Sequence, residues 1–241
     1  LAHIHFPANQ GAAERIIKMG EEKERVHMVG CPRMDTMKTV AAKHPSPPDK
    51  EWLVKEGVGG EIDLSQPYLI VQQHPVTTEF GQGEQQVTEL LHALYELDVP
   101  VIMLWPNADA GAEDISRGMR KFREKHHPEK IRYFKNLPPE VFIPLILHCS
   151  CMVGNSSGAI REGSFLGIPA VNIGTRQEGR DRGENIIDVG NNKEEIVAAI
   201  TKQMEHGKYE TDPLYGDGET GDRIADVLAS CPLDVQKKIT Y

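Results

Sequence analysis

The stretch from Cys151 to Asn185 reads CMVGNSSGAIREGSFLGIPAVNIGTRQEGRDRGEN and decides the predicted fold. Its first apolar run, 151–153, ends in a turn of small residues at 154–158. A helical segment at 159–166 and a second apolar run at 170–173 follow, and the second run ends in a loop rich in arginine. This order of strand, turn, helix and strand is typical of a parallel α/β sheet.

The turn of small residues has the chemistry of an anion site. A turn of Gly and Ser that opens a helix exposes unpaired backbone N–H groups and the positive end of the helix dipole, which together suit a phosphate. Ser156 and Ser157 add hydroxyl donors, and Glu162, one turn further on, is placed to bind a ribose diol. Arg176 adds a cation from the next loop. The same turn also fits an ordinary capped strand-to-helix connection, so both interpretations stay open.

The same alternation continues on either side of this stretch. Strands are predicted at 68–72, 99–104, 131–134, 151–153, 170–173 and 185–189, and helices at 83–97, 112–124, 139–147, 159–166, 191–205 and 222–228. Strands that alternate with helices form right-handed crossovers and a parallel sheet. We therefore expect an α/β fold with a Rossmann-like parallel sheet and helices on both faces.

Polar side chains follow several of these strands. They are His74, Asn107, Asn136, Ser156 and the loop that contains Arg176. Because the carboxyl ends of parallel strands share one edge of the sheet, we expect these groups to converge on a ligand. Each signal is weak alone, since His74 before Pro75 also fits a capping histidine.

The first 67 residues have a different pattern. A helix is predicted at 9–19 with Asn9 as its cap, and a strand at 25–29, whereas 35–67 contains a helical stretch and a proline-rich segment. His3 and His5 alternate, but two histidines on one strand face are favoured over a metal site because no third ligand is near in sequence. We predict no metal and no cofactor.

Composition excludes several classes of protein. The 241 residues are 39% hydrophobic and carry a net charge of −9, so a packed core is expected and generic nucleic-acid binding is not. No apolar run approaches the roughly 20 residues of a membrane span. The four cysteines form no CxxC pair, which favours a reducing, cytoplasmic setting.

Motifs along nearly the whole chain resemble one enzyme family. They are HIHFP at 3–7, VGCP at 29–32, QHPVT at 73–77, WPNAD at 105–109, GNSS at 154–157, RE at 161–162, GTRQ at 174–177, GR at 179–180 and GEN at 183–185. In this order they resemble the hydrolysing UDP-N-acetylglucosamine 2-epimerases. The resemblance implies the C-terminal domain of a two-domain, B-type glycosyltransferase-like fold.

The resemblance also implies roles for individual residues. His74 faces the diphosphate and the reacting sugar and assists catalysis, Asn107 contacts the nucleotide, and Asn136 lies where a main-chain contact to uracil is expected. Ser156 and Ser157 hold the diphosphate, Glu162 the ribose and Arg176 the nucleotide. Arg180 is assigned to the binding set, although Arg180 and Arg182 also fit a structural role.

Four segments follow from the same resemblance. Residues 1–33 are expected to be the end of an otherwise missing N-terminal Rossmann-like domain, and 34–67 a linker with peripheral helices. Residues 68–221 are expected to form the nucleotide-binding domain, and 222–241 a C-terminal helix and tail. The missing part supplies the acidic residues of the reaction in this family, so we expect the chain alone to be inactive.

The implied activity releases UDP and N-acetylmannosamine, which supplies the synthesis of sialic-acid-type sugars. The resemblance also implies that the full-length protein is a homodimer. The expected partner is UDP or a UDP-N-acetylhexosamine, with no nucleic acid and no membrane. Two alternatives stay open: a glycosyltransferase domain that uses the same cleft, and a non-catalytic module that binds UDP-sugars.

Overall fold

A computed structural model describes residues 2–232 and residue 236. Within that part of the chain the helices are α1 (Gln10–Lys18), α2 (Pro32–Lys43), α3 (Lys50–Glu56), α4 (Gly83–Leu97), α5 (Ala112–His126), α6 (Pro139–His148), α7 (Ser157–Leu166), α8 (Lys193–His206) and α9 (Thr220–Ser230). The strands are β1 (Val58–Gly59), β2 (Leu69–Gln72), β3 (Val101–Leu104), β4 (Ile131–Phe134), β5 (Cys151–Gly154), β6 (Ala170–Ile173) and β7 (Ile186–Val189).

The strands form one sheet in the order β1-β4-β3-β2-β5-β6-β7. Only β1 pairs antiparallel, and every other neighbouring pair is parallel. Without β1 the order is that of a Rossmann fold, in which the strand sequence reverses direction at the pair formed by β2 and β5. The predicted α/β fold with a parallel sheet is confirmed.

Helices cover both faces of this sheet, as predicted. Leu69 and Val71 of β2 pack in the cluster that contains the apolar stripes of α4, α5 and α8. Ile70, between them in sequence, packs on the opposite side with residues of α3 and α6. Because alternate side chains of a strand point to opposite faces, a strand buried on both sides is apolar throughout.

The N-terminal segment contains the predicted helix but not the predicted strand. Asn9 caps α1, since its side chain accepts a hydrogen bond from the Ala12 N–H. The strand expected at 25–29 is wrong: a single bridge pairs His5 with Val26, next to a short 3-10 turn at 23–25. A β-propensity pattern needs several ladder bonds to become a strand, and this pairing extends no further within the described residues.

The segment predicted as a linker also contributes to the sheet. The short strand β1 pairs antiparallel with β4. Arg132 of β4 holds the backbone of the segment that contains β1. The Arg132 guanidinium donates to the carbonyl oxygens of Leu53, Val54, Gly57, Gly59 and Gly60. A two-residue strand is too short to show any periodicity, so it could not be predicted from the sequence pattern.

Helix α9 lies against α2, and the Arg223 guanidinium donates to the Val29 carbonyl oxygen at 3.4 Å. The structure extends the predicted helix by two residues at each end. Most of the tail predicted after it lies outside the described residues, and the four segment boundaries stay predictions. No described helix combines the length and the apolar character that crossing a membrane requires.

Candidate functional site

The candidate site lies where the strand order reverses, between the carboxyl ends of β2 and β5. Asn155 follows β5 directly and His74 lies two residues after β2. The His74 N–H donates to Asn155 Oδ1 at 2.7 Å, and Asn155 Nδ2 donates to the His74 carbonyl oxygen at 2.8 Å. Both residues are buried, so this pair joins the two strand ends in the crevice where such folds bind ligands.

Gly154 makes the close approach of the two strand ends feasible. It has φ +121°, a conformation that residues with a side chain rarely adopt. A β-carbon at Gly154 would lie 2.1 Å from the Gln72 carbonyl oxygen, which instead accepts a hydrogen bond from the Asn155 N–H at 3.0 Å. Glycine at this position therefore sets where Asn155 begins the turn.

The His74 ring is held in one orientation. Its Nδ1 accepts a hydrogen bond from the Asn107 backbone N–H at 3.1 Å, so the neutral ring carries its proton on Nε2. Burial and, to a lesser extent, the positive charge of Arg176 together lower the pKa of His74 to about 4, against a smaller opposing effect of Asp109. At neutral pH the imidazole is therefore an uncharged hydrogen-bond donor.

Arg176 reaches the same place from the loop after β6. Its Nη1 donates to the Asn155 carbonyl oxygen at 3.2 Å, and its Nη2 lies 3.5 Å from Asp109 Oδ2. Gln177 Nε2 donates to the same Asn155 carbonyl oxygen at 2.8 Å. Asn155 follows β5, and the residues that contact it follow β2 and β6. Asn155 therefore links the loops after three strands.

The N-terminus of α7 opens beside this network. Ser156 caps the helix and accepts a hydrogen bond from the Gly158 N–H at 3.3 Å, while Ser157 Oγ accepts one from Arg161 Nη2 at 3.2 Å. The first N–H groups of a helix have no partner within it, and the helix dipole adds positive potential at that end. The arrangement is suited to an anionic group.

Glu162, on the second turn of α7, is almost completely buried. Its Oε1 accepts a hydrogen bond from Arg33 Nε of α2 at 3.2 Å. Its Oε2 has no hydrogen-bond partner, and neither has Arg161 Nε, which lies 3.7 Å from it. A β-carbon at Gly158 would lie 3.8 Å from Oε2, so this oxygen faces the first turn of the helix.

The side chains of Asn136 and Arg180, both in the predicted set, do not join the described network around Asn155. The Asn136 side chain is exposed and accepts a hydrogen bond from the next residue's N–H, that of Leu137. Arg180 is exposed on the arginine-rich loop. Arg182 on the same loop donates to the carbonyl oxygens of Gln177 and Arg180, which matches the structural alternative. Contacts between any of these residues and a nucleotide stay predictions.

Sequence reasoning missed four residues of this site. Asn155 was within the quoted turn, directly after a strand, but an amide at that position does not indicate that its side chain bonds to the neighbouring strand end. Gln177 and Asp109 adjoin predicted residues and were treated only as part of a motif. Arg33 had no signal at all, because it lies 129 residues from Glu162 along the chain.

Comparison with known proteins identifies the family. Residues 1–229 match the family model described as UDP-N-acetylglucosamine 2-epimerase, so the chain belongs to this family. It is 34% identical over 231 residues, or 95% of its length, to a UDP-N-acetylglucosamine 2-epimerase of Neisseria meningitidis serogroup B. It is 29% identical over 98% of its length to a hydrolysing UDP-N,N'-diacetylbacillosamine 2-epimerase of Legionella pneumophila. The chain spans 58% and 60% of these two relatives.

A solved structure shares the fold. The UDP-GlcNAc 2-epimerase from Neisseria meningitidis bound to UDP-GlcNAc superposes with a TM-score of 0.74, covering 95% of this chain and 62% of that one. The sequence identity in this superposition is 13%, so the likeness carries the fold alone.

Proposed function

We propose that this chain binds the UDP part of a UDP-N-acetylhexosamine in the crevice between β2 and β5, as the nucleotide-binding portion of a hydrolysing 2-epimerase. One observation carries the proposal. A neutral histidine, an arginine and an open helix N-terminus meet around Asn155 at the point where a Rossmann-like sheet reverses its order. That combination suits a diphosphate that must be bound and then released from a sugar.

Each predicted residue has a place in this proposal. The diphosphate lies at the N-terminus of α7 against Ser156, Ser157 and Arg176, and Glu162 Oε2 accepts from the ribose hydroxyls. The base lies toward the loops after β3 and β4, which contain Asn107 and Asn136, with Arg180 beside the nucleotide. The loops after β3, β4 and β6 and the N-terminus of α7 would then surround one ligand.

The proposed reaction has two steps and consumes one water. The bond from C1 of the sugar to the diphosphate breaks as C2 loses its proton, which gives an unsaturated sugar and UDP. Water then adds across the double bond, with hydroxyl on C1 and the proton on the opposite face of C2, and N-acetylmannosamine leaves.

His74 and Arg176 act on the departing diphosphate. Negative charge grows on the diphosphate as the C1–O bond breaks, and donors already in place stabilise it without reorganising. Loss of one such donor typically costs ~3 kcal/mol in the transition state. Because its pKa is about 4, His74 contributes a hydrogen bond from Nε2–H and no positive charge at neutral pH.

The chain spans less than two thirds of its relatives, so the complete activity is proposed for the gene product at native length. We propose that this product acts as a homodimer. We propose that the 241-residue chain alone binds UDP without turnover. A cytoplasmic location is also part of the proposal.

Calorimetric titration of UDP into the 241-residue chain tests the binding site, and a product analysis of the native-length protein with UDP-GlcNAc tests the reaction. Free N-acetylmannosamine and UDP, released without an acceptor, are the expected products. UDP-N-acetylmannosamine would instead indicate a non-hydrolysing epimerase, and sugar transfer to an added acceptor would indicate a glycosyltransferase. Turnover by the short chain would contradict its proposed inactivity.

Replacement of His74 separates catalysis from binding. In the native-length protein, His74→Gln is expected to lower kcat roughly 100-fold while the Kd for UDP changes only a few-fold, as for a donor that acts on developing charge. Equal losses in both quantities would leave His74 a binding residue only.

A further inference from the structure

The carboxylate of Glu162 is hydrogen-bonded through one oxygen only, and its other oxygen forms a longer ion pair, at 3.7 Å, with Arg161 Nε. Arg33 Nε donates to Oε1 at 3.2 Å, whereas Oε2 is buried without a hydrogen-bond partner. A buried carboxylate oxygen left unpaired is costly, and such atoms are rare in folded proteins unless something else satisfies them. This buried oxygen without a hydrogen bond therefore indicates a ligand donor at this position.

The surroundings of Oε2 describe that donor. The oxygen faces the first turn of α7 beside Gly158, where a β-carbon would lie in ordinary contact with Ser156 Oγ at 3.5 Å and with Glu162 Oε2 at 3.8 Å. The ligand group must therefore donate a hydrogen bond close to the helix N-terminus that we assign to a phosphate. A sugar hydroxyl adjacent to a phosphate meets this requirement.

We propose that Arg33 is a positioning residue that reserves Glu162 Oε2 for the ribose hydroxyls of the nucleotide. This inference rests on the proposed function. Arg33 reaches the site from α2, across 129 residues of sequence, and it does not itself touch the ligand. By occupying Oε1 it fixes the rotation of the carboxylate and balances its charge.

Arg161 is the side chain that we expect to engage Oε2 when Arg33 is removed. Its Nε has no hydrogen-bond partner and lies 3.7 Å from Oε2, just beyond hydrogen-bond distance. When Arg33 no longer draws the carboxylate toward α2, Glu162 turns toward Arg161 and closes that gap. Oε2 is then engaged by the protein and no longer accepts from the ribose.

The test compares a ligand that has a ribose with one that does not. Arg33→Met is expected to weaken UDP binding about 10-fold, the effect of losing one charge-assisted hydrogen bond, while the Kd for inorganic pyrophosphate changes less than about twofold. Arg33→Lys is expected to restore part of the UDP affinity. The matched control is Lys38→Met, which removes another α2 cation that pairs with Glu219 on the surface, and it is expected to change neither constant.

Four outcomes would contradict the inference or the proposal on which it rests. Equal weakening of UDP and pyrophosphate, with a lowered melting temperature, would reduce Arg33 to a structural residue and overturn the inference. Unchanged binding of both ligands by Arg33→Met would also overturn it. If the wild-type chain binds UDP no more tightly than pyrophosphate, both the inference and the assignment of Glu162 to the ribose are contradicted. If the wild-type chain binds neither ligand, the proposed function itself is contradicted.

Discussion

His74 and Asn155 exchange two hydrogen bonds, each between a main-chain group of His74 and the amide side chain of Asn155, at 2.7 and 2.8 Å. The two residues are 81 positions apart and follow the adjacent strands β2 and β5. An asparagine side chain offers one acceptor and one donor group, so it can satisfy both backbone groups of a residue on the neighbouring strand. This pair fixes the width of the crevice at its centre.

Asn155→Ala is expected to lower the free energy of unfolding by about 3 kcal/mol, since two buried hydrogen bonds are lost and the His74 N–H and carbonyl are left unpaired. Urea denaturation monitored by circular dichroism measures this change. Asn136→Ala is the control, because its exposed side chain contacts only the next residue's N–H, and it is expected to cost about 0.5 kcal/mol or less. Similar values for the two variants would show that the bridge does not stabilise the fold.

Much of this fold could be predicted from local pattern. The bounds predicted for α4, β4 and β6 agree with the structure, because α4 is strongly periodic, β4 and β6 are mostly apolar, and each is bordered by Gly, Pro or polar residues. The strand predicted at 25–29 failed because an apolar alternation says nothing about whether partners exist. Strand formation is a property of pairing as much as of propensity.

The site was predicted less completely than the fold, and the reason is chain distance. Residues at strand ends could be expected to converge, since parallel strands share one carboxyl edge. The partners that orient them could not, because Arg33 and Asp109 act through contacts that no spacing rule connects to Glu162 or Arg176. Ion pairs across a fold leave no periodic trace in sequence.

Gly154→Ala is expected to destabilise the protein by about 4 kcal/mol or more, because a β-carbon would meet the Gln72 carbonyl oxygen at 2.1 Å in a backbone conformation with φ +121°. Gly179→Ala is the matched control: its φ is also positive, at +73°, but no atom lies within 4 Å of the added carbon. Backbone strain alone costs roughly 1–2 kcal/mol there. Thermal unfolding of both variants separates the steric clash from the strain.

The pH dependence of stability follows from the lowered pKa of His74. The ring stays neutral in the folded protein down to about pH 4, whereas in the unfolded chain it takes up a proton near its ordinary value of 6.5. The unfolded state therefore binds more protons between these values, so stability is full above pH 6.5 and falls as the pH drops toward 4. The loss amounts to at most about 3 kcal/mol.

Urea denaturation of wild type and His74→Gln at several pH values between 4 and 7 isolates this contribution. The difference between the two proteins is expected to shrink as the pH falls. His126→Gln serves as the control, since the pKa of His126 is also lowered, mainly by desolvation, but that side chain lies at the surface of α5. If His74→Gln keeps the full pH dependence of the wild type, other groups cause it.

Asp109→Asn is expected to strengthen UDP binding. The Asp109 carboxylate lies 3.5 Å from Arg176 Nη2 and therefore occupies the guanidinium that we assign to the diphosphate. A diphosphate must displace or repel this internal anion, and the amide of Asn carries no charge with which to compete. We expect a Kd for UDP that is several-fold lower at low ionic strength, with a smaller difference at high salt because the competition is electrostatic.

Two further variants show whether Asp109 acts through Arg176. Asp98→Asn removes a carboxylate at the C-terminus of α4 that pairs with Lys130, far from the crevice, and is expected to leave the Kd unchanged. In an Arg176→Met background, Asp109→Asn is expected to have little effect if competition for the guanidinium is the cause, and to retain its effect if the carboxylate merely repels the ligand. Weaker UDP binding by Asp109→Asn alone would contradict the prediction, because it would mean that Asp109 holds Arg176 in the orientation that binds.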